Sequence, residues 1–296
     1  MDDALCRLCP RMCAVDRAAG ALGYCRQGRL KVARAMLHKW EEPVISGRGG
    51  SGAVFFSGCT LGCRYCQNEP ISHGGLGVSL SVETLRRVFW DLVEQGAENI
   101  DLITPTQFLP EILPALEPKL PVPVCFNSGG YERVETVRTL AGKVDVYLPD
   151  LKYLDPDLSA RLSGARDYPQ AATAAIRAMA EQAGPPVIED GLLKRGVLIR
   201  HLILPGQVEN SLKVLDWIGS TFAPGQVLVS LMRQYTPMPA VADLPPLNRT
   251  VTDKEYQAVL SWMYLNELEG FVQEADAAGA DCIPDFTGWT PPSEKE

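Results

Sequence analysis

From residue 51 to residue 232 the chain alternates short apolar runs with stretches of helical spacing, and it does so six times. The apolar runs are 52–58, 99–104, 122–127, 144–150, 195–206 and 226–232. The stretch 81–96 shows what lies between them. Val82, Leu85, Val88, Phe89, Leu92 and Val93 recur at the spacing of one helix face, Ser81 fits the N-cap and Gly96 the stop. A proline-interrupted helix follows the second run, a long alanine-rich one the fourth. Strands and helices in strict series predict parallel strands joined by crossover helices. Parallel sheets are buried on both faces, so their strands read as unbroken apolar runs, as these do. The fold class is therefore α/β. Eight such units would close a barrel, and six predict an open, partial (β/α)6 TIM-like barrel. The alternation also divides the chain: a Cys-rich N-terminal extension at 1–50, a barrel core at 51–250, and a C-terminal helical extension at 251–296, built on the helical stretch 252–270 and packed on the barrel.

This architecture says where to look for chemistry, because its active sites lie at the C-terminal ends of the strands. Those ends carry "CTLGCRYC" after the first run, "TPTQ" (104–107), "NSGGY" (127–131), "PDLKY" (149–153), His201 near Pro205 and Gly206, and "RQYTP" (233–237).

The first strand end places Cys59, Cys63 and Cys66 in a C-x3-C-x2-C run. Thiolates select zinc or iron-sulfur clusters. Three of them are one short of a closed zinc site, but they can hold three irons of a [4Fe-4S] cluster and leave the fourth iron open to a substrate or cofactor. Gly58 and Gly62 let the backbone curl around such a group. The competing reading is a zinc knuckle completed by a distant residue such as His73. A second set, Cys6, Cys9, Cys13 and Cys25, is complete at four and suits a structural zinc or a second cluster; a third option is that one of its thiols acts in catalysis. Cys125, in a strand end, reads as a small buried hydrophobe. Cys282 has no assigned role.

Composition narrows the function classes. The net charge is -8, with 28 basic and 36 acidic residues. No long basic run offers a nucleic-acid surface, and no apolar stretch reaches the roughly 18 residues of a membrane span. The start, "MDDALCRLCP", is no signal peptide. A cytoplasmic, reducing location is expected, where cysteines serve metal or redox chemistry rather than disulfides.

A C-x3-C-x2-C run with an aromatic residue before its last cysteine, at the end of the first strand of a partial barrel, resembles the radical S-adenosylmethionine (radical SAM) superfamily. Within it, "CRLCPRMCAVDRAAGALGYC" (6–25), "PTQF", "YLPDLKY", "RHLILPG" and "MRQYTP" resemble the branch similar to pyruvate formate-lyase activating enzyme, over nearly the whole chain. The resemblance implies that Cys59, Cys63 and Cys66 hold a [4Fe-4S] cluster, whose open iron takes the methionyl amine and carboxylate of S-adenosylmethionine. It implies Tyr65 beside the adenine, Asp150 and Lys152 at the ribose and carboxylate, and Arg200 paired with the same cofactor. A Gly-Gly-Glu element common in the superfamily is replaced by "ITPTQF", so Thr104, Thr106 and Gln107 are the candidates to receive the amine. The implied activity is reductive cleavage of S-adenosylmethionine to a 5′-deoxyadenosyl radical that abstracts hydrogen, with a glycine of a partner glycyl-radical enzyme as target and flavodoxin or ferredoxin as electron donor. Radical modification of a small molecule or cofactor precursor, and a non-catalytic iron-sulfur or zinc protein, are the alternatives. The glycine-bearing loop 67–80 is expected to cover the barrel mouth and to move.

Overall fold

The computed structural model describes residues 5–273 and 284–292; Cys282 and part of the 251–296 extension lie outside the described residues. Among the described residues the main sheet has ten strands, eight of which form its body: β1 (Lys31–His38), β2 (Ser51–Phe56), β3 (Ile100–Ile103), β4 (Val124–Ser128), β5 (Val146–Pro149), β6 (Leu192–Leu202), β7 (Leu228–Met232) and β8 (Gly270–Val272). They lie side by side in chain order. From β2 to β8 every pairing is parallel, while β1 runs antiparallel to β2. Val78–Ser79 pairs with the far edge of β1, and Val187–Glu189 with β6. The path has two ends, so the sheet is an open barrel. All six predicted strands form. The sheet is wider than predicted, with β1 added from within the N-terminal extension and β8 from beyond the C-terminal helix.

The helices return each strand to the sheet: α1 (Val82–Glu94), α2 (Leu109–Ala115), α3 (Val134–Arg138), α4 (Pro156–Ser163), α5 (Tyr168–Ala183), α6 (Val208–Thr221) and α7 (Asp253–Leu265). Ser81 caps α1, its side chain accepting from the Thr84 amide at 3.0 Å. The buried face of α1 is Leu85, Val88, Phe89 and Leu92, each contributing about 1.5–3 kcal/mol on burial. Strand residues of opposite parity face opposite ways. Val54, Leu102, Phe126, Tyr147, Ile199 and Val229 belong to the large core shared with the helices. Cys125, Val146, Leu148, Leu198 and Leu228 turn to the barrel interior, which Val44 and Ile45 of the helical turn Pro43–Ser46 fill from within. Cys125 is fully buried there, as a small hydrophobe. No described helix is long and apolar enough to cross a membrane.

Candidate active site

Above that apolar floor the interior becomes polar and opens into a cavity of about 660 Å³. Parallel register brings its walls together: Ile103 lies beside Asn127, and Arg200 beside Ser230. The loop after β2 delivers Cys59, Cys63, Tyr65 and Cys66 to the cavity, and the ends of β3, β5 and β6 deliver Thr104, Asp150, Lys152 and Arg200. Eight residues foreseen from sequence thus share one cavity.

The charged wall is a closed network. Arg200 donates from Nε to Asp150 Oδ1 at 3.0 Å, its Nη2 lies 2.9 Å from the same oxygen, and its Nη1 lies 3.4 Å from Glu41 Oε2. Nη2 also donates to Asn127 Oδ1. Lys152 Nζ donates to the other oxygen of Asp150. Burial pushes the Asp150 carboxyl up, but Lys152 and Arg200 outweigh it and hold the group below the usual carboxylate range. Burial pulls Lys152 down and Arg200 repels its charge, but Asp150 and Cys63 outweigh both and push it up.

The thiol wall is tied to a helix about a hundred residues away. Cys63 Sγ lies 3.0 Å from Ser163 Oγ, Ser163 lies 2.8 Å from the Tyr153 hydroxyl, and Tyr153 lies 2.5 Å from the Tyr65 hydroxyl. Cys66 Sγ lies 3.3 Å from Ser72 Oγ, and Cys59 Sγ accepts from the Leu61 amide at 3.4 Å. Burial pushes the Cys59 and Cys63 thiols up; a bound metal is what would take their protons. Hydrogen bonds to the sulfurs are the usual means of tuning a thiolate-held metal centre. Sequence reasoning passed over Ser163 and Ser72, which no local signal marks, and gave Tyr153, at the end of "PDLKY", no role.

Thr106 and Gln107 are corrected. Thr104 sits at φ 57, a left-handed conformation that costs a β-branched residue on the order of 1–3 kcal/mol. Its amide donates to Asn127 O at 2.8 Å, and its carbonyl accepts from Gln107 Nε2 at 2.8 Å. The reversal sends the turn Thr106–Phe108 away from the cavity. Thr106 donates to Glu132 Oε1 at 2.8 Å, and Gln107 also donates to the Ser57 and Gly58 carbonyls. His201 is likewise outside the cavity. It is fully buried, with Nδ1 2.7 Å from Leu151 O and Nε2 2.9 Å from Ser211 Oγ. The 67–80 segment is anchored rather than free: Ile71 is buried, its carbonyl accepts from Gly58 N at 2.9 Å, and Ser57 donates to Leu76 O.

Among the described residues no three His, Cys, Asp or Glu side chains are gathered so as to hold a single metal ion, at Cys59, Cys63, Cys66 and His73 or elsewhere. Three soft donors on one loop, facing a cavity lined by cations and a carboxylate, do suit an iron-sulfur cluster with a bound zwitterionic cofactor.

The fold is shared with solved enzymes of that chemistry. A radical SAM methyltransferase from Sphaerobacter thermophilus aligns over 78% of this chain and 68% of its own, with 15% identity and a TM-score of 0.54. Streptococcus suis SuiB bound to S-adenosylmethionine aligns over 74% of this chain at 15% identity and a TM-score of 0.52. This chain covers only 49% of SuiB. In sequence, an uncharacterised protein of Methanocaldococcus jannaschii is 28% identical over 265 residues, 86% of this chain and 73% of that one. The model of the radical SAM superfamily matches residues 53–218, more than half of the chain and both walls of the cavity, and the chain belongs to that superfamily.

Proposed function

We propose that the chain is an activase-like radical SAM enzyme that abstracts hydrogen from a glycine of a partner protein. The observation that carries the reading is one cavity with three loop thiols on one wall and the Lys152–Asp150–Arg200 network on another. Cys59, Cys63 and Cys66 would hold a [4Fe-4S] cluster. When bound and reduced by a donor of the flavodoxin or ferredoxin class, such a cluster would supply the electron for splitting S-adenosylmethionine into methionine and a 5′-deoxyadenosyl radical. The chain's own part is to fix geometry and exclude water. Lys152 has N–H donors to spare for a carboxylate, and Asp150 keeps lone pairs for ribose hydroxyls. Arg200 holds Asp150 in place more than it reaches outward. The Tyr65 ring offers a flat apolar face to a base. Thr104 is the one foreseen amine acceptor that faces the cavity.

The glycine target draws support from the motif resemblance and from the open side of the barrel, which suits a protein loop. Anaerobic protein given dithionite and S-adenosylmethionine should release 5′-deoxyadenosine slowly. A glycyl-radical partner should speed release and gain a radical signal in electron paramagnetic resonance. Release with no partner effect would favour a small-molecule substrate. No release from fully loaded protein would leave a non-catalytic metalloprotein.

A further inference from the structure

Three hydroxyls join the cavity to Cys63, and the sulfur decides which way their protons point. Tyr65 lines the cavity, and its hydroxyl lies 2.5 Å from that of Tyr153. Tyr153 lies 2.8 Å from Ser163 Oγ, and Ser163 Oγ lies 3.0 Å from Cys63 Sγ. Tyr153 and Ser163 are fully buried, and Tyr65 and Cys63 nearly so. Each hydroxyl has one proton to give. A metal-bound cysteine sulfur has none, so it can only accept. Ser163 must then donate to Cys63, Tyr153 to Ser163, and Tyr65 to Tyr153. Every proton of the chain points toward the sulfur, and in a dry place each bond polarises the next. The other loop sulfurs differ among the described residues: Cys59 accepts a backbone amide, and Cys66 faces the hydroxyl of Ser72.

The backbone holds this chain in register. The C-terminal turn of α4 grips the cysteine loop, with Gly62 N donating to Ser163 O at 3.1 Å and Arg64 N to Leu162 O at 2.9 Å. Arg11 of the N-terminal segment ties the two together, donating from Nε to Thr60 O at 2.9 Å and from Nη1 to Gly164 O at 2.6 Å. The thiols of that segment, Cys6, Cys9, Cys13 and Cys25, border a separate space of about 20 Å³, room for about one water. The Tyr153 ring stands edge-on to Tyr168, centroids 5.4 Å apart. We propose that Tyr65, Tyr153 and Ser163 are positioning residues that raise the reduction potential of the cluster held by the loop. The inference rests on the reading of Cys59, Cys63 and Cys66 as ligands of a [4Fe-4S] cluster. An added electron puts more negative charge on the ligand sulfurs, and a proton donated to Cys63 favours that state.

The test reads potential, which a merely structural role would not move in steps. Full-length protein is reconstituted anaerobically with ferrous iron and sulfide, and midpoint potentials are measured without S-adenosylmethionine. The loop cluster is the signal lost in the variant Cys59→Ala, Cys63→Ala, Cys66→Ala. Ser163→Ala should keep the wild-type iron count and lower the potential of that signal. Tyr153→Phe should lower it less, because Ser163 still donates to Cys63, and Tyr65→Phe should lower it least. A triple cysteine variant with wild-type iron overturns the reading of the loop thiols and this inference with it. Wild-type iron and an unchanged potential in Ser163→Ala overturn the inference alone. Should Ser163→Ala bind less iron, Tyr153→Phe, which removes no contact to a cysteine, decides: an unchanged potential there overturns the chain.

Discussion

Asp150 decides the electrostatics of the candidate site at the scale of single residues, because both of its oxygens are claimed. Its two cations therefore predict different outcomes. Lys152→Ala removes a group with donors left over, so it should weaken S-adenosylmethionine binding by about 1.5–3 kcal/mol, roughly tenfold or more, at unchanged iron content. Equilibrium binding to reconstituted protein checks it. Arg200→Ala leaves Glu41 without a partner and Asp150 with Lys152 alone in a buried place, and should lower folding stability by about 3–5 kcal/mol in denaturant titration. His201 titrates with the fold. Burial holds its pKa down to about 4, against an unfolded value near 6.5. The unfolded chain thus binds a proton first on acidification. The stability contributed by the neutral ring is present above about pH 6.5 and is lost toward pH 4, with a slope near 1.4 kcal/mol per pH unit. His201→Asn should flatten that part of the pH dependence in chemical unfolding. Cys59 was legible because it follows the first apolar run, and Asp150, Lys152 and Arg200 because the motif resemblance names them at the ends of the fourth and fifth strands. Ser163 was not, because its contact with Cys63 exists only once α4 has docked on the loop.

At the scale of elements, the cysteine loop holds its path through glycine. Gly58 lies at φ 80, and a Cβ there would meet the Cys25 carbonyl at 2.6 Å and Gln27 Cγ at 2.5 Å. Backbone cannot yield as a flexible side chain does. Gly58→Ala should push the loop off the N-terminal segment and lower iron bound by the loop, measured on a background with Cys6, Cys9, Cys13 and Cys25 replaced by serine; full retention would show that the path is not fixed there. The elements missed in sequence were those without an apolar run. In β1, Lys31, Arg34 and His38 interrupt the pattern. β8 has three residues, Gly270, Phe271 and Val272, with none fully buried. Partners already in the sheet recruit such strands, and local propensity says little about them. Thr106 was misplaced for a related reason: the left-handed turn at Thr104 is set by its bonds to Asn127 and Gln107, and threonine does not announce it.

At the scale of the whole molecule, the strands stand in the order in which the chain is written. Each unit can dock on its predecessor while later ones are still being synthesised, so assembly can proceed from the N-terminus on the ribosome. Ribosome-held chains that end after α5 should already resist protease across β2 to β5; protection gained only by the finished chain would exclude this order. The three loop thiols lie within the first 66 residues. Cys59, Cys63 and Cys66 leave the ribosome before Lys152, Arg200 and β8 exist to wall them in, which gives iron delivery a window of access during translation that the completed barrel narrows.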